Sequence, residues 1–384
     1  MKFLFFSLIS VLITVDVFSQ ISPGQIGGQN DDRRVITTAV PFLRITPDAR
    51  SGAMGDAGAA ISPDANSAFW NPGKVAFNTS EYAGSISYTP WLAQIIDDMF
   101  LAQVSGYYKL DREQAIAASL TYFDLGEIFL TDENGGDLGT QDPREFAFNF
   151  TYSRKLSDLI GLGISLKYIR SNLLGSLTSN NFDFSPANSV AVDIGAYFTK
   201  DLLFSGANSN FSAALVLSNI GRKITYSTDS DEDFIPGNIR LGTAFKTDLD
   251  PYNSITFALD FNKLLVPTLA EDNDRNLLSG TFGSFGDAPG GFSEELQEIT
   301  ISSGVEYWYR ELFAARAGYF WEHENKGNRQ YFTLGVGLRY QVFGLDFAYL
   351  LPTSQNNPLA DTLRFTLLFT PDTGDSNESI TSDN

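Results

Sequence analysis

Glu145-Phe146-Ala147-Phe148-Asn149-Phe150-Thr151-Tyr152-Ser153-Arg154 is the stretch on which the reading of this chain turns. Phe146, Phe148, Phe150 and Tyr152 occupy every second position, and Ala147, Asn149, Thr151 and Ser153 fill the places between. Successive side chains of a strand point to opposite faces, so the segment has one face fit for lipid and one fit for a polar interior. Ile255, Phe257, Leu259 and Phe261 repeat the pattern against Thr256, Ala258, Asp260 and Asn262, and Leu363, Phe365, Leu367 and Phe369 repeat it near the end. About ten residues suffice for a tilted strand to cross a bilayer. Inside a bilayer, strands leave no backbone group unpaired only when they close into a barrel.

Working outward, fourteen such segments lie between about Glu81 and Thr370. Besides the three above, strands are expected near residues 82 to 90, 99 to 109, 113 to 124, 160 to 170, 189 to 199, 210 to 219, 237 to 247, 299 to 309, 312 to 321, 331 to 341 and 344 to 351. Their connections alternate in length. Short ones, such as Leu110 to Arg112, Lys155 to Leu159, Arg310 to Glu311 and Val342 to Phe343, are interleaved with long ones, such as Leu125 to Arg144, Ser171 to Asn188, Ile220 to Pro236 and Lys263 to Glu298. Successive hairpins of an antiparallel barrel emerge at opposite ends, so the long loops share one end, as in outer-membrane barrels. A β-propeller or a sandwich gives no reason for this alternation. The fold expected is all-β, a 14-stranded antiparallel transmembrane barrel spanning 81–370. Tyr88, Trp91, Tyr107, Tyr108, Tyr307, Trp308, Tyr309, Tyr319 and Trp321 sit near strand ends and fit interfacial girdles.

The apolar run Phe3 to Val15 followed by Val17-Phe18-Ser19 reads as an export signal over 1–19, cleaved before Gln20. No other stretch holds the roughly 18 uncharged apolar residues of a spanning helix. Absence of cysteine excludes disulfides, thiolate metal sites and a lipidated anchor. A net charge of −20 argues against nucleic acid as a partner. The acids gather in Asp229, Asp231, Glu232 and Asp233, in Glu271, Asp272 and Asp274, and in Glu294, Glu295 and Glu298, and are read as solvated loops. An acidic tail, 371–384, is expected in the periplasm. No phosphate loop, zinc motif or calcium loop is present, and no cofactor or metal is implied.

Between signal and barrel, 20–39 reads as a flexible segment and 40–80 as a plug inside the lumen. Ser51-Gly52-Ala53-Met54-Gly55-Asp56-Ala57-Gly58-Ala59-Ala60 allows tight turns and close backbone contacts. Eight strands are filled by their own side chains and sixteen leave an aqueous channel, so an intermediate barrel needs an occupant to stay closed. The motifs Pro41-Phe42-Leu43-Arg44-Ile45, Pro47-Asp48-Ala49-Arg50, Met54-Gly55-Asp56-Ala57-Gly58, Ser62-Pro63-Asp64-Ala65-Asn66 and Trp70-Asn71-Pro72-Gly73-Lys74 follow one another here. In series they resemble the PorV family of the type IX secretion system, within the wider FadL-like class of plugged fourteen-stranded barrels. Ser51 and Gly73 stand where that family more usually has Ala. The resemblance implies Arg50, Met54, Gly55, Asp56, Asn71 and Pro72 as plug residues and an outer-membrane location. It also implies a shuttle that captures secreted cargo by its C-terminal signal domain and passes it from the translocon to the surface attachment machinery.

Long external loops are the available binding surface. Leu277, Leu278, Phe282, Phe285 and Phe292 in one, and Leu173, Leu174, Leu177, Phe182 and Phe184 in another, set apolar anchors among Gly, Ser and acids. Leu174, Phe182, Leu277, Phe282, Phe285 and Phe292 are the candidate cargo contacts, with lipid as the remaining partner. The single histidine, His323, lies between Glu322 and Glu324 and is read as loop decoration rather than a catalytic base. No catalytic residues are assigned. Two alternatives stand beside the shuttle: a FadL-like transporter of hydrophobic small molecules, and a lipid A deacylase built on His323.

Overall fold

The computed structural model describes residues 29–30, 33–92, 98–131, 136–173, 178–179, 182–183, 185–226, 232–269, 272, 274–353, 359 and 362–371. The expected signal segment, Leu174 and the tail beyond residue 371 lie outside them.

Fourteen strands form one closed antiparallel ring. They are β1 (Tyr82–Pro90), β2 (Phe100–Lys109), β3 (Gln114–Asp124), β4 (Arg144–Lys155), β5 (Ile160–Asn172), β6 (Ala187–Phe204), β7 (Ala207–Gly221), β8 (Asn238–Asp250), β9 (Asn253–Leu264), β10 (Thr300–Tyr309), β11 (Phe313–Trp321), β12 (Gln330–Tyr340), β13 (Phe343–Pro352) and β14 (Leu363–Phe369). Each pairs with its neighbour in the chain, and β14 closes on β1 with Phe365 opposite Tyr88 and Phe369 opposite Gly84. No helix among the described residues is long and apolar enough to cross a membrane. The strands do so instead.

Side-chain alternation sets the two faces of the wall. In β4, Phe148 and Phe150 are exposed on the outside, while Ala147, Asn149, Thr151 and Ser153 are buried within. All turns after even-numbered strands lie at one end, and the long connections, including a small hairpin of Ile128–Thr131 with Asp137–Gln141, gather at the other.

The expected strands are present, and the widest departure is at β6 and β7, which run on to a two-residue turn at Ser205-Gly206. Both turn residues have left-handed φ, 50° and 83°, the geometry that matches strand twist in a tight hairpin. Leu202-Leu203-Phe204 breaks the period-two pattern, because beyond Phe198 the strand has outrun β5 and no longer separates lipid from lumen. The girdle expectation is also corrected in part. Tyr88, Tyr108 and Tyr309 are exposed, but Tyr107 is buried and the Trp308 ring packs against the guanidinium groups of Arg316 and Arg339.

Candidate functional site

Residues 40–78 hold two short helices, α1 (Ala49–Gly52) and α2 (Ser67–Trp70), and two 3-10 turns, Pro41–Arg44 and Pro72–Phe77. Asp48 ties the helices together, accepting from the Ser51 amide at 2.8 Å and from the Trp70 indole at 2.6 Å. Burial, then the nearby Asp64, raises the Asp48 carboxyl above its usual range.

The segment bonds to inward-facing groups on every side of the ring. Ala49 N donates to Thr366 Oγ1 in β14 and Gly55 N to Thr333 Oγ1 in β12, both at 2.9 Å. Gly58 N and Ala59 N share Asp260 Oδ2 in β9. Ser105 of β2 donates to Ala65 O, the Asn71 amide to Ala196 O in β6, and Ala76 N to Ser153 Oγ in β4. Arg50 grips Glu306 with two bonds of 2.9 and 2.8 Å, and a buried chain of alternating charge runs on through Arg316, Asp346 and Arg339. A bidentate, charge-assisted pair of this kind fixes position and angle together.

Wall glycines explain how the backbones come so close. A Cβ on Gly163 would lie 2.3 Å from Pro72 C and O, and one on Gly195 2.2 Å from Asn71 Oδ1. Across the lumen, a Cβ on Gly318 would lie 2.1 Å from Gly55 N and Met54 C, and one on Gly335 2.4 Å from the Ala53 Cβ. Gly in a strand marks such close approach. Gly55 itself needs its missing Cβ, having φ of 67° against the β10 and β11 backbone. Lys74 is fully buried, with Nζ donating to Gly58 O at 2.7 Å and no carboxylate within ion-pair distance among the described residues. Burial, opposed by Asp64, pushes its pKa down to about 8.

Beneath the loops, a cavity of about 610 Å³ lies between this segment and the wall. Phe42, Leu43, Trp91 and Phe320 supply apolar surface, and Arg44, Arg240, Arg329 and Arg364 supply positive charge.

The loop between β9 and β10 is a folded cap carrying α3 (Leu277–Gly283) and α4 (Phe292–Gln297). Lys326 reaches Glu294 at 2.7 Å and Glu298 at 3.0 Å; Lys263 reaches Glu295 at 2.9 Å and also Glu298. Arg34 adds a 2.9 Å bond to Glu294. These three glutamates are therefore not solvated, contrary to the reading from sequence: all are buried, because lysines distant in the chain reach them. With its acids turned inward the cap shows apolar groups outward, Phe282 at 71% and Phe292 at 78% exposure with Leu278, Phe285 and Leu296 beside them.

Residues 28–271 match the family of type IX secretion system protein PorV. The chain belongs to the PorV family. It is an outer-membrane β-barrel component of the type IX secretion system. No curated protein matches the sequence. Among solved structures, PorV-family architecture here is similar to the Ralstonia pickettii toluene transporter TbuX (11% identity, TM-score 0.46, covering 85% of this chain and 98% of that one). It is likewise similar to a Pseudomonas aeruginosa FadL homologue (12%, 0.46, 88% and 99%) and to the Pseudomonas putida toluene transporter TodX (10%, 0.46, 83% and 95%).

Of the residues marked from sequence in this PorV-family chain, Arg50, Met54, Gly55 and Asp56 lie against β10 to β12, and Asn71 and Pro72 against β5 and β6 across the lumen. Phe282, Phe285 and Phe292 are all exposed on the cap, and Leu277 is half-buried. Phe182 falls in a two-residue strand paired with Thr178–Ser179, and Leu174 lies outside the described residues. His323 accepts from the Asn325 amide at 3.2 Å and stands edge-on to Trp321. Sequence reading missed the cavity arginines and the wall glycines. Arg240, Arg364, Gly163 and Gly195 all occupy inward positions of the alternation, where an unpaired cation or a missing side chain was the available signal.

Proposed function

We propose that this protein captures secreted proteins by their C-terminal signal domain on the cap face, and carries them from the translocon to the surface attachment machinery. Residues 40–80 serve as the plug that keeps the barrel closed meanwhile. The observation that carries this reading is the cap. A set of exposed large apolar side chains on one cap, whose helices are tied by buried ion pairs to the barrel rim, is what an interaction surface requires and what a lipid-facing wall does not explain at this end. Aromatic anchors on a fixed scaffold bind without a large ordering cost.

The test replaces Phe282 and Phe292 with Ser in the intact gene. Both side chains are mostly exposed, so the barrel keeps its heat-dependent gel shift. The expected result is loss of cargo copurification and accumulation of cargo in the periplasm. Normal secretion and undiminished copurification would move the binding surface off the cap.

A further inference from the structure

The cavity lined by Phe42, Arg44 and Arg240 is too small for a folded domain. At about 610 Å³ it is in the range of small-ligand sites, so only a chain end or a small molecule can enter. Its charge is unusual for a chain of net −20. Arg329 is paired with Glu322 and Lys167 with Asp193, but Arg44 and Arg240 have no ion-pair partner among the described residues. The Arg240 side chain makes one hydrogen bond among the described residues, from Nε to Asn262 Oδ1 at 2.5 Å, and stacks on Trp70. The Arg44 guanidinium has no hydrogen bond among those residues. Burial, then Arg329, pushes its pKa down to about 10, with Glu322 acting against them.

Two further polar atoms on the lining are buried and without a hydrogen-bond partner among the described residues, Arg364 Nε and Ser302 Oγ. Arg364 is 2% exposed, and its one ion-pair partner among the described residues is Asp56, at 3.6 Å. A buried donor left unmade costs about 1–3 kcal/mol, so atoms of this kind point to a ligand that completes them.

We infer that the cavity binds the free C-terminal carboxylate of a cargo polypeptide, with its last apolar side chains against Phe42, Leu43, Trp91 and Phe320. This rests on the reading that cargo is held by its C-terminal domain. Such a domain offers one anionic chain end, and guanidinium groups bind a carboxylate through paired bonds. The side-chain amides of Asn219, Asn238 and Asn262 also line the space and add polar surface beside the arginines.

The experiment uses the full-length protein in nanodiscs and follows tryptophan fluorescence. The probes are a synthetic peptide bearing the last residues of a secreted cargo, the same peptide ending in a carboxamide, and dodecanoate. The acid peptide is expected to bind, the amide to bind roughly tenfold more weakly or worse, and Arg44→Gln to reduce acid binding while leaving amide binding unchanged. Equal binding of acid and amide, or dodecanoate binding in preference to both peptides, overturns the inference, the latter in favour of a lipid. The intact cargo signal domain separates the two readings. If it does not bind the wild-type protein, the proposed function fails. If it binds, and binds as well after a polar extension is fused to its C-terminus, only the cavity inference fails.

Discussion

Replacing Gly318 with Ala measures how closely residues 40–78 are pressed to the wall. The new Cβ would lie 2.1 Å from Gly55 N and Met54 C, about 1.3 Å short of the 3.4 Å at which ordinary contact begins. Neither side can swing away, since both are backbone and Gly318 is paired with Gly304 on one flank and Thr333 on the other. Overpacking of this kind costs about 1–3 kcal/mol. The strand ladder is held by a closed ring of paired strands, so the strain falls on the seating of the inner segment. That energy shifts the ratio of seated to unseated segment by roughly 5–150-fold. Ala57 is fully buried, and a cysteine placed there reports unseating by its reaction with a maleimide. In purified protein carrying Ala57→Cys, labelling should quicken by about that factor when Gly318→Ala is added, and again with Gly163→Ala, with the heat-dependent gel shift unchanged. Gly84→Ala is the control, because its Cβ would meet only Ser105 O, at 3.7 Å. Unchanged labelling in both lumenal variants would refute the idea that the wall glycines exist to seat this segment.

Three further outcomes follow from the geometry. Lys74 has a folded-state pKa of about 8, below its usual 10.5, so the unfolded chain holds more protons between those values and stability rises with pH across them. The rise amounts to about 3 kcal/mol, and Lys74→Met should flatten it in urea unfolding followed below pH 8 and near pH 10; an unchanged slope would acquit the lysine. Glu298→Gln removes the anion shared by Lys263 and Lys326, and breaking a buried pair from one side costs about 3–5 kcal/mol. The cap should then be cut readily by protease while the barrel survives, and a cap as resistant as the wild type's would mean that packing, not charge, holds it. His323→Ala, which loses only a bond from the Asn325 amide and an edge contact with Trp321, should leave both secretion and lipid A acylation as they were; an added acyl chain would revive the deacylase reading.

The barrel was legible because its determinants are local. Period-two alternation in stretches such as Phe146 to Ser153 is imposed by lipid on one side and a polar lumen on the other, and the alternation of loop lengths follows from hairpin geometry alone. Both can be read without knowing what any residue touches. The motifs from Pro41 to Lys74 were legible for a related reason, being contiguous runs whose order carries the family likeness.

Tertiary structure decided whatever depends on partners distant in the chain. Glu294, Glu295 and Glu298 looked like solvent-facing acids until Lys263 and Lys326 were brought to them, and a buried charge reads the same in sequence as an exposed one. Gly163 and Gly318 looked like weak points of two strands, and their purpose shows only where Pro72 and Met54 meet them across the lumen. Arg44, Arg240 and Arg364 lie far apart along the chain, and ring closure together with the path of the inner segment sets them around one cavity. Strand pairing is a short-range pattern that sequence carries openly. Convergence of side chains inside a closed ring depends on register, twist and the path of the segment within, and no period in the sequence encodes it.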